Sequence, residues 1–177
     1  MGPPRMAPDR IAIVGISASG KSTFARRLAE RTGLPVLHGD RLEWLPDWRV
    51  RPGAEIETLH AEWTARPRWI IEGWIDIDRV ARLNAADVVV DLDYSRWRCA
   101  GRVLLRMLRG HRRPEMPAGC IDRLRLDALD TVLRKKERPF IDAALHAATM
   151  KTYVRLRSPR EADRWLTAPK AGKTAAS

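Results

Sequence analysis

A single phosphate-binding motif constrains the fold more than any other feature of the sequence. Residues 15–23 read Gly-Ile-Ser-Ala-Ser-Gly-Lys-Ser-Thr, which matches the pattern G-x-x-x-x-G-K-[S/T] at every position. The motif follows a run of apolar residues at 11–14 and precedes an amphipathic pattern that includes Phe24 and Leu28. A buried strand, a glycine-rich turn and a helix in this order indicate a βα unit of a parallel sheet.

The motif also predicts a ligand. The two glycines let the backbone curl until its N–H groups point inward at a phosphate chain, and the helix that begins near Lys21 adds its positive end. Lys21 would reach the β- and γ-phosphates, and the Ser22 hydroxyl would coordinate Mg²⁺. We therefore expect a nucleoside triphosphate with Mg²⁺. The predicted phosphate-binding residues are Gly15, Ser17, Ala18, Ser19, Gly20, Lys21, Ser22 and Thr23.

The rest of the chain alternates short β-type runs with helical patterns, which predicts an α/β fold with a parallel sheet and helices on both faces. The predicted strands are Ile11–Val14, Pro35–His38, Trp69–Glu72, Val88–Asp91 and Thr152–Leu156. We expect one domain over residues 10–167, with loose tails at 1–9 and 168–177. The polar, Pro/Gly/Arg-rich stretch 110–119 is predicted to be an exposed loop.

Composition excludes several classes of protein. The chain has 177 residues, of which 45% are hydrophobic, so wholesale disorder is excluded. No stretch approaches the roughly 18 apolar residues of a membrane span, and residues 1–9 lack the apolar core of a signal peptide. Cys99 and Cys120 alone make no disulfide framework or four-cysteine metal site. A cytoplasmic protein is the expectation.

The residues that follow the predicted strands are candidates for an acceptor site, because ligands of open α/β sheets bind at the carboxyl ends of the strands. Asp40 would orient an acceptor hydroxyl or a Mg²⁺-bound water, or else cap the helix that begins at Arg41. Glu72 would lie near Mg²⁺, and Asp91 is a further carboxylate with either a magnesium or a capping role. The predicted substrate-binding residues are His38, Asp40, Trp44, Glu72, Gly73 and Trp74, and the predicted metal-binding residues are Ser22, Asp40 and Glu72.

The seven tryptophans fall into two groups. Trp44, Trp48 and Trp74 follow the second and third predicted strands, where they would stack on an acceptor or pack at its rim. The other four are predicted to be core residues: Trp63, Trp69, Trp97 and Trp165.

A helical pattern after the fourth predicted strand carries four arginines. Arg98, Arg102, Arg106 and Arg109 are spaced so that they share one face, opposite an apolar stripe that includes Trp97, Leu104 and Leu108. The helix leads to Arg112 and Arg113, and we expect a lid at about residues 109–120 that stabilises the transferred phosphoryl group. The predicted roles are catalytic for Lys21, Asp40, Arg102, Arg106 and Arg113, and nucleotide-binding for Arg109 and Arg157. The alternative is a solvated helix face.

The formal charge is +11, from 33 Lys plus Arg against 22 Asp plus Glu. Most of the basic residues are arginine, the side chain suited to a bidentate grip on phosphate. A basic excess of this kind fits a phosphorylated small molecule, a nucleic acid or the composition of a GC-rich genome.

Over about residues 10–167, the sequence resembles the adenylate-kinase-like P-loop NTPases, and more narrowly the DNA topology modulation (FlaR-related) group. The resemblance is carried by the phosphate loop and, in order along the chain, by residues 37–40 with Leu42, Trp44 and Trp48, by 68–74, by 91–92, by Arg102 and Arg106, and by 113–116, 119–120 and 156–160. The sequence departs from that group at Ile121-Asp122 and at Trp74. The resemblance implies strand order 2-3-1-4-5, a short lid and ATP as donor.

Two functions are therefore expected, from different classes. The first is an ATP- and Mg²⁺-dependent kinase that acts on a nucleotide or another small acceptor, with Asp40 as the base when the acceptor is a hydroxyl. The alternative is a nucleotide-dependent DNA-binding or topology-modulating regulator, although the sequence contains no base-reading module.

Overall fold

The computed structural model describes residues 8–75, 77–109, 116–120 and 126–168. A five-stranded parallel sheet lies at its centre. Its strands are β1 (Arg10–Val14), β2 (Val36–His38), β5 (Trp69–Glu72), β6 (Val88–Leu92) and β7 (Tyr153–Leu156). A separate two-stranded antiparallel sheet pairs β3 (Trp44–Leu45) with β4 (Arg49–Val50).

Eight α-helices are described. They are α1 (Lys21–Thr32), α2 (Gly39–Glu43), α3 (Gly53–Thr64), α4 (Val80–Ala85), α5 (Arg96–Arg109), α6 (Leu126–Leu133), α7 (Arg138–Ala147) and α8 (Pro159–Thr167). Short 3-10 turns add Pro46–Trp48 and Ile77–Arg79. Helix α1 packs against β1, β2, β5 and α8, whereas α7 packs against α4 and α5 packs against α6.

The order of the large sheet is β2-β5-β1-β6-β7. Counting only the strands of this sheet, that is the predicted order 2-3-1-4-5, so the predicted fold class is confirmed. All five predicted strands are present, with bounds within one residue of those predicted. Ile13 of β1 pairs with Glu72 of β5 on one side and with Val90 of β6 on the other, so the strand ends lie along one edge.

The core is built on the three central strands. Every residue of β5 is buried, and so are all but the first residue of β1 and β6. Trp69 is fully buried, as predicted, while Trp63 and Trp165 pack at the margin of the core. Cys99 and Cys120 are buried free thiols. No helix among the described residues is long and apolar enough to cross a membrane.

The small hairpin of β3 and β4 was not predicted from the sequence. Its turn places Asp47 and Trp48 at positive φ, and its backbone meets the segment 116–120: the Asp47 N–H donates to the Ala118 carbonyl at 3.2 Å. The Cys120 thiol donates to the Leu45 carbonyl at 3.5 Å. This part of the expected lid, residues 116–120, is therefore fixed against the hairpin, whereas residues 110–115 lie outside the described part of the chain.

The prediction that Trp97 of α5 is a core residue is wrong. Trp97 is 68% exposed and Leu108 75% exposed, whereas Cys99 and Val103 are buried. Arg102 is half-buried because its guanidinium hydrogen-bonds to backbone carbonyls of the phosphate loop. Cys99 and Val103, which lie on the same side of the helix as Arg102, are the buried residues, and the large apolar residues Trp97 and Leu108 are left in solvent.

Two tryptophan variants test this orientation. We expect Trp69→Ala to lower the free energy of unfolding by about 3–5 kcal/mol, because it empties a fully buried site. Trp97→Ala should change it by no more than about 0.5 kcal/mol, because its side chain is mostly in water. Urea unfolding of both variants measures the difference, and a loss at Trp97 equal to that at Trp69 would contradict the exposed position.

Candidate functional site

The phosphate loop joins β1 to α1 and is held by close backbone contacts. Gly15 has φ +148°, and a Cβ there would lie 2.7 Å from the Leu92 carbonyl oxygen. The Lys21 ammonium donates to the carbonyls of Gly15 at 2.9 Å and Ile16 at 3.2 Å. Lys21 therefore lies folded over the start of the loop.

A residue that the sequence did not single out also binds this loop. Both carboxylate oxygens of Glu137 accept hydrogen bonds from Ser17, one from its backbone N–H and one from its hydroxyl. Glu137 is the residue immediately before α7. It lies 120 residues away along the chain, and no motif or spacing marks it, so only the tertiary structure reveals this contact.

The start of α7 is fixed by a buried ion pair. Arg138 is 8% exposed and bonds to Asp91, which is fully buried, at 2.9 Å. It also bonds to Asp142 at 2.6 Å and lies 3.5 Å from Asp93. Through this ion pair, Arg138 anchors the start of α7, and with it the neighbouring Glu137, to the end of β6.

Asp91 is consequently occupied by protein partners and does not lie free as a magnesium ligand. Besides Arg138, it accepts a hydrogen bond from the Tyr153 hydroxyl at 2.9 Å. Burial raises the pKa of Asp91, although Arg138 and Tyr153 oppose the rise. Burial and the neighbouring Asp91 charge together raise the pKa of Tyr153 to about 12. The structure thus favours a structural role for Asp91.

The ends of β2 and β5 bring two predicted residues into contact. His38 Nδ1 lies 2.7 Å from Glu72 Oε1, and the Glu72 side chain is only 3% exposed. The two strand ends touch at glycines, since a Cβ on Gly73 (φ +140°) would lie 3.0 Å from the Gly39 Cα and 3.6 Å from the Asp40 nitrogen. Any larger residue at Gly73 would push these two strand ends apart.

Asp40 lies in α2, on the same edge of the sheet. Burial raises the pKa of the nearby Glu43, and the negative charge of Asp40 adds to the rise. Arg79 opposes this effect through an ion pair with Glu43 at 2.9 Å. Asp40 and Glu43 therefore lie near each other at this edge, and Arg79 forms an ion pair with one of them, Glu43.

The three tryptophans predicted near the acceptor are not brought together. Trp74 follows Gly73 and packs against Phe140 of α7, with ring centroids 5.8 Å apart. Trp44 and Trp48 belong to the hairpin and pack edge-to-face against each other at 5.2 Å. Trp74 is thus the tryptophan that adjoins the edge with Glu72 and Asp40.

The predicted arginines have different surroundings. Arg102 donates to the carbonyls of Ala18 at 3.4 Å and Ser19 at 3.0 Å, so it contacts the outside of the phosphate loop. Arg106 is half-buried, with a buried Nε. Arg157 is exposed, and its backbone N–H bonds to Glu161. The Arg109 side chain and Arg113 lie outside the described residues.

The residues present fit a magnesium ion that is shared with phosphates. The described residues contain no group of three or more His, Cys, Asp or Glu side chains that would hold a metal by itself, but Mg²⁺ characteristically binds through one or two protein oxygens, water and phosphates. Ser22 lies in the first turn of α1, which packs on the strands that carry His38 and Glu72. Hydroxyl and carboxylate oxygens are the ligands that Mg²⁺ prefers.

Comparisons with known proteins agree with this fold. The family model of isopentenyl transferases (IPT) matches residues 9–94, and no curated protein matches. A shikimate kinase from Acinetobacter baumannii, solved with shikimate, is similar with a TM-score of 0.58 at 20% identity over 88% of this chain and 87% of that one. A gluconokinase from Sinorhizobium meliloti 1021 is similar with a TM-score of 0.53 at 21% identity, over 92% and 93%.

A sugar kinase from Janibacter sp. HTCC2649 is similar with a TM-score of 0.55 at 18% identity, over 91% of this chain and 94% of that one. The chain therefore has the fold of small P-loop kinases. The matched family model and these solved structures are all of transferases or kinases by name.

The buried ion pair beneath Glu137 gives a second testable expectation. Arg138→Met should lower the free energy of unfolding by about 3–5 kcal/mol, because it leaves Asp91 as a buried charge without its guanidinium partner. Adding Asp91→Asn should recover part of this loss, since the double variant has no buried charge at position 91. Urea unfolding at neutral pH tests both, and a single variant as stable as the native chain would contradict it.

Proposed function

We propose that this chain is an ATP-dependent phosphotransferase that transfers the γ-phosphoryl group of ATP·Mg²⁺ to a small acceptor. The observation that carries the proposal is the folded phosphate loop, with Lys21 held across its first two carbonyls, at the edge of a kinase-like sheet. On the donor side, the loop amides and Lys21 would hold the phosphates, and Ser22 with Asp40 or Glu72 would hold Mg²⁺. Mg²⁺ would neutralise charge on the phosphates.

In this proposal Glu72 also positions a side chain of the acceptor site. One of its oxygens is engaged by His38 at 2.7 Å, so it fixes the orientation of the imidazole at the end of β2. His38, Asp40, Gly73 and Trp74 then form the side of the site that faces the acceptor. Trp44 lies in the hairpin and would contact only an acceptor that extends that far.

The transfer step follows from this arrangement. The acceptor oxygen forms a bond to the γ-phosphorus, the bond to the bridging oxygen breaks, and ADP leaves with that electron pair. When the acceptor is a hydroxyl, Asp40 would take its proton, and Glu72 would then be the carboxylate beside Mg²⁺. Arg102, which contacts the loop carbonyls, and Arg106 supply positive charge beside the donor, as would Arg109 and Arg113.

The proposed functional unit is residues 10–167, with a lid at about 109–120 and short tails on either side. Arg157 would lie beside the base of the nucleotide.

Membership of the DNA topology modulation (FlaR-related) group stays a proposal, and the comparisons give no support to a DNA-topology function.

Isopentenyl transfer is a second candidate, because the family model that matches residues 9–94 is that of isopentenyl transferases. The same phosphate loop would then bind the diphosphate of a prenyl donor. The two functions differ in what is transferred, so isotope placed on the γ-phosphate of ATP or on the prenyl group distinguishes them.

Lys21→Ala tests the donor site. We expect ATP binding to weaken by about a hundredfold, because a charged hydrogen-bond donor to the phosphates is lost. Folding should be unchanged, since the bonds that Lys21 makes within the described part of the chain are to loop carbonyls. Lys151→Ala is the matched control, because Lys151 is an exposed lysine whose described partner is Asp87. Isothermal titration with ATP·Mg²⁺ measures both, and native-like affinity in Lys21→Ala would remove the assignment.

Phosphoryl transfer itself is tested by ADP formation from ATP with a panel of alcohols, sugars, nucleosides and nucleoside monophosphates. We expect at least one compound to raise ADP formation well above the rate with water, because a kinase transfers to its acceptor in preference to solvent. A panel that leaves the rate at the water background would contradict the phosphotransferase proposal.

A further inference from the structure

The phosphate loop already binds an anionic group, and that group is a side chain of the protein itself. One carboxylate oxygen of Glu137 accepts a hydrogen bond from the Ser17 N–H, and the other accepts one from the Ser17 hydroxyl. Ser17 is the third residue of the motif, whose N–H groups cradle phosphates. The next residue, Ala18, has φ +59°, the left-handed conformation that occurs in nests of N–H groups that bind anions. The carboxylate therefore binds at a donor that the motif assigns to an anionic ligand.

Positive charge also converges on this loop. The Lys21 ammonium and the Arg102 guanidinium both donate to loop carbonyls. Burial raises the pKa of Cys99, and the charges of Arg102 and Lys21 oppose the rise. Lys135 also lowers this pKa, whereas Glu137 adds to the rise. Three cations and the Glu137 carboxylate thus lie near one buried thiol, and the carboxylate is the negative charge among these four.

A fixed stretch of backbone presents Glu137 to the loop. Lys135 has φ +50°, and its carbonyl accepts a hydrogen bond from the Arg138 N–H at 2.9 Å. The Lys135 ammonium lies 3.4 Å from Asp93, and Arg138 forms the buried ion pair at the end of β6. Because these contacts do not involve the loop, the Glu137 side chain can leave the loop while the start of α7 stays in place.

A carboxylate at this position competes with a phosphate. The Ser17 N–H has one hydrogen to donate, so a phosphate oxygen that binds it must replace the Glu137 oxygen. A carboxylate that remained beside the phosphate would bring two like charges into contact, which is unfavourable. Binding of a phosphate chain at Ser17 is therefore opposed by the contact that it breaks.

We propose that Glu137 is an internal competitor of the donor nucleotide: its carboxylate binds Ser17 when no nucleotide is present, and the phosphates of ATP·Mg²⁺ displace it. The inference rests on the donor site of the proposed function and adds a regulation of that site. Glu137 stabilises the loop of the free protein and lowers the affinity of the same loop for ATP. A residue that only shaped the loop would favour both folding and binding.

Two substitutions of Glu137 test the effect on binding. Glu137→Gln keeps the shape of the side chain and removes its charge, and Glu137→Ala removes the contact as well. We expect the Kd for ATP·Mg²⁺ to fall by about tenfold in Glu137→Gln, because a charged hydrogen-bond acceptor no longer competes for Ser17. The fall in Glu137→Ala should be at least as large. Isothermal titration of the native chain and both variants measures these constants.

The stability of the free protein is the second readout. Without nucleotide, we expect Glu137→Gln to lower the melting temperature by about 3–6 °C, because the loop loses its charged partner. Glu55→Gln is the matched control: Glu55 is an exposed acid on α3 that pairs with Arg51 at 3.2 Å. It removes the same charge from the chain, and it should leave both the Kd and the melting temperature unchanged.

The outcomes separate this inference from the function on which it rests. Weaker or unchanged ATP binding in Glu137→Gln overturns the competitor role and leaves the donor site standing. An equal gain of affinity in Glu55→Gln assigns the effect to net charge and also overturns that role. If ATP·Mg²⁺ binds to none of these proteins, the donor site of the proposed function fails and the inference falls with it.

Discussion

The position of β1 at the centre of the sheet determines where every other part of the candidate site lies. Parallel pairing with β5 on one side and β6 on the other places the carboxyl ends of these strands at the same edge as the phosphate loop. The loop then turns so tightly at Gly15 that a Cβ would lie 2.7 Å from the Leu92 carbonyl. A glycine is required there because the end of β6 occupies the space.

The features that depend on buried strands could be predicted from the sequence. Continuous apolar runs such as 69–71 mark strands that are covered on both faces, and the motif at 15–23 fixes the turn that follows the first strand. The hairpin of Trp44–Leu45 and Arg49–Val50 could not be predicted in this way. Two-residue strands are too short for a periodic pattern, and this hairpin is positioned by a backbone hydrogen bond to Ala118 and by the thiol of Cys120.

The orientation of α5 shows why periodicity alone was insufficient. The helix has a strong apolar stripe and a basic stripe, and the usual interpretation buries the apolar one. Here the small residues Cys99 and Val103 allow close packing, and Arg102 finds acceptors in the carbonyls of the phosphate loop. Glu137 was missed for a related reason: its significance depends on Arg138, whose buried pair with Asp91 brings the start of α7 to the loop.

The placement of the arginines also changes what the charge of +11 implies. A helix that binds a nucleic acid backbone presents its cations to solvent, where they replace counterions. Helix α5 exposes Arg96 and Arg98 together with the large apolar residues Trp97, Leu104 and Leu108, while Arg102 contacts the phosphate loop. Arg138 is neutralised by carboxylates within the fold. Arg102 and Arg138 are therefore engaged within the protein, the first at the phosphate loop and the second at the end of β6, rather than presented to an external polyanion.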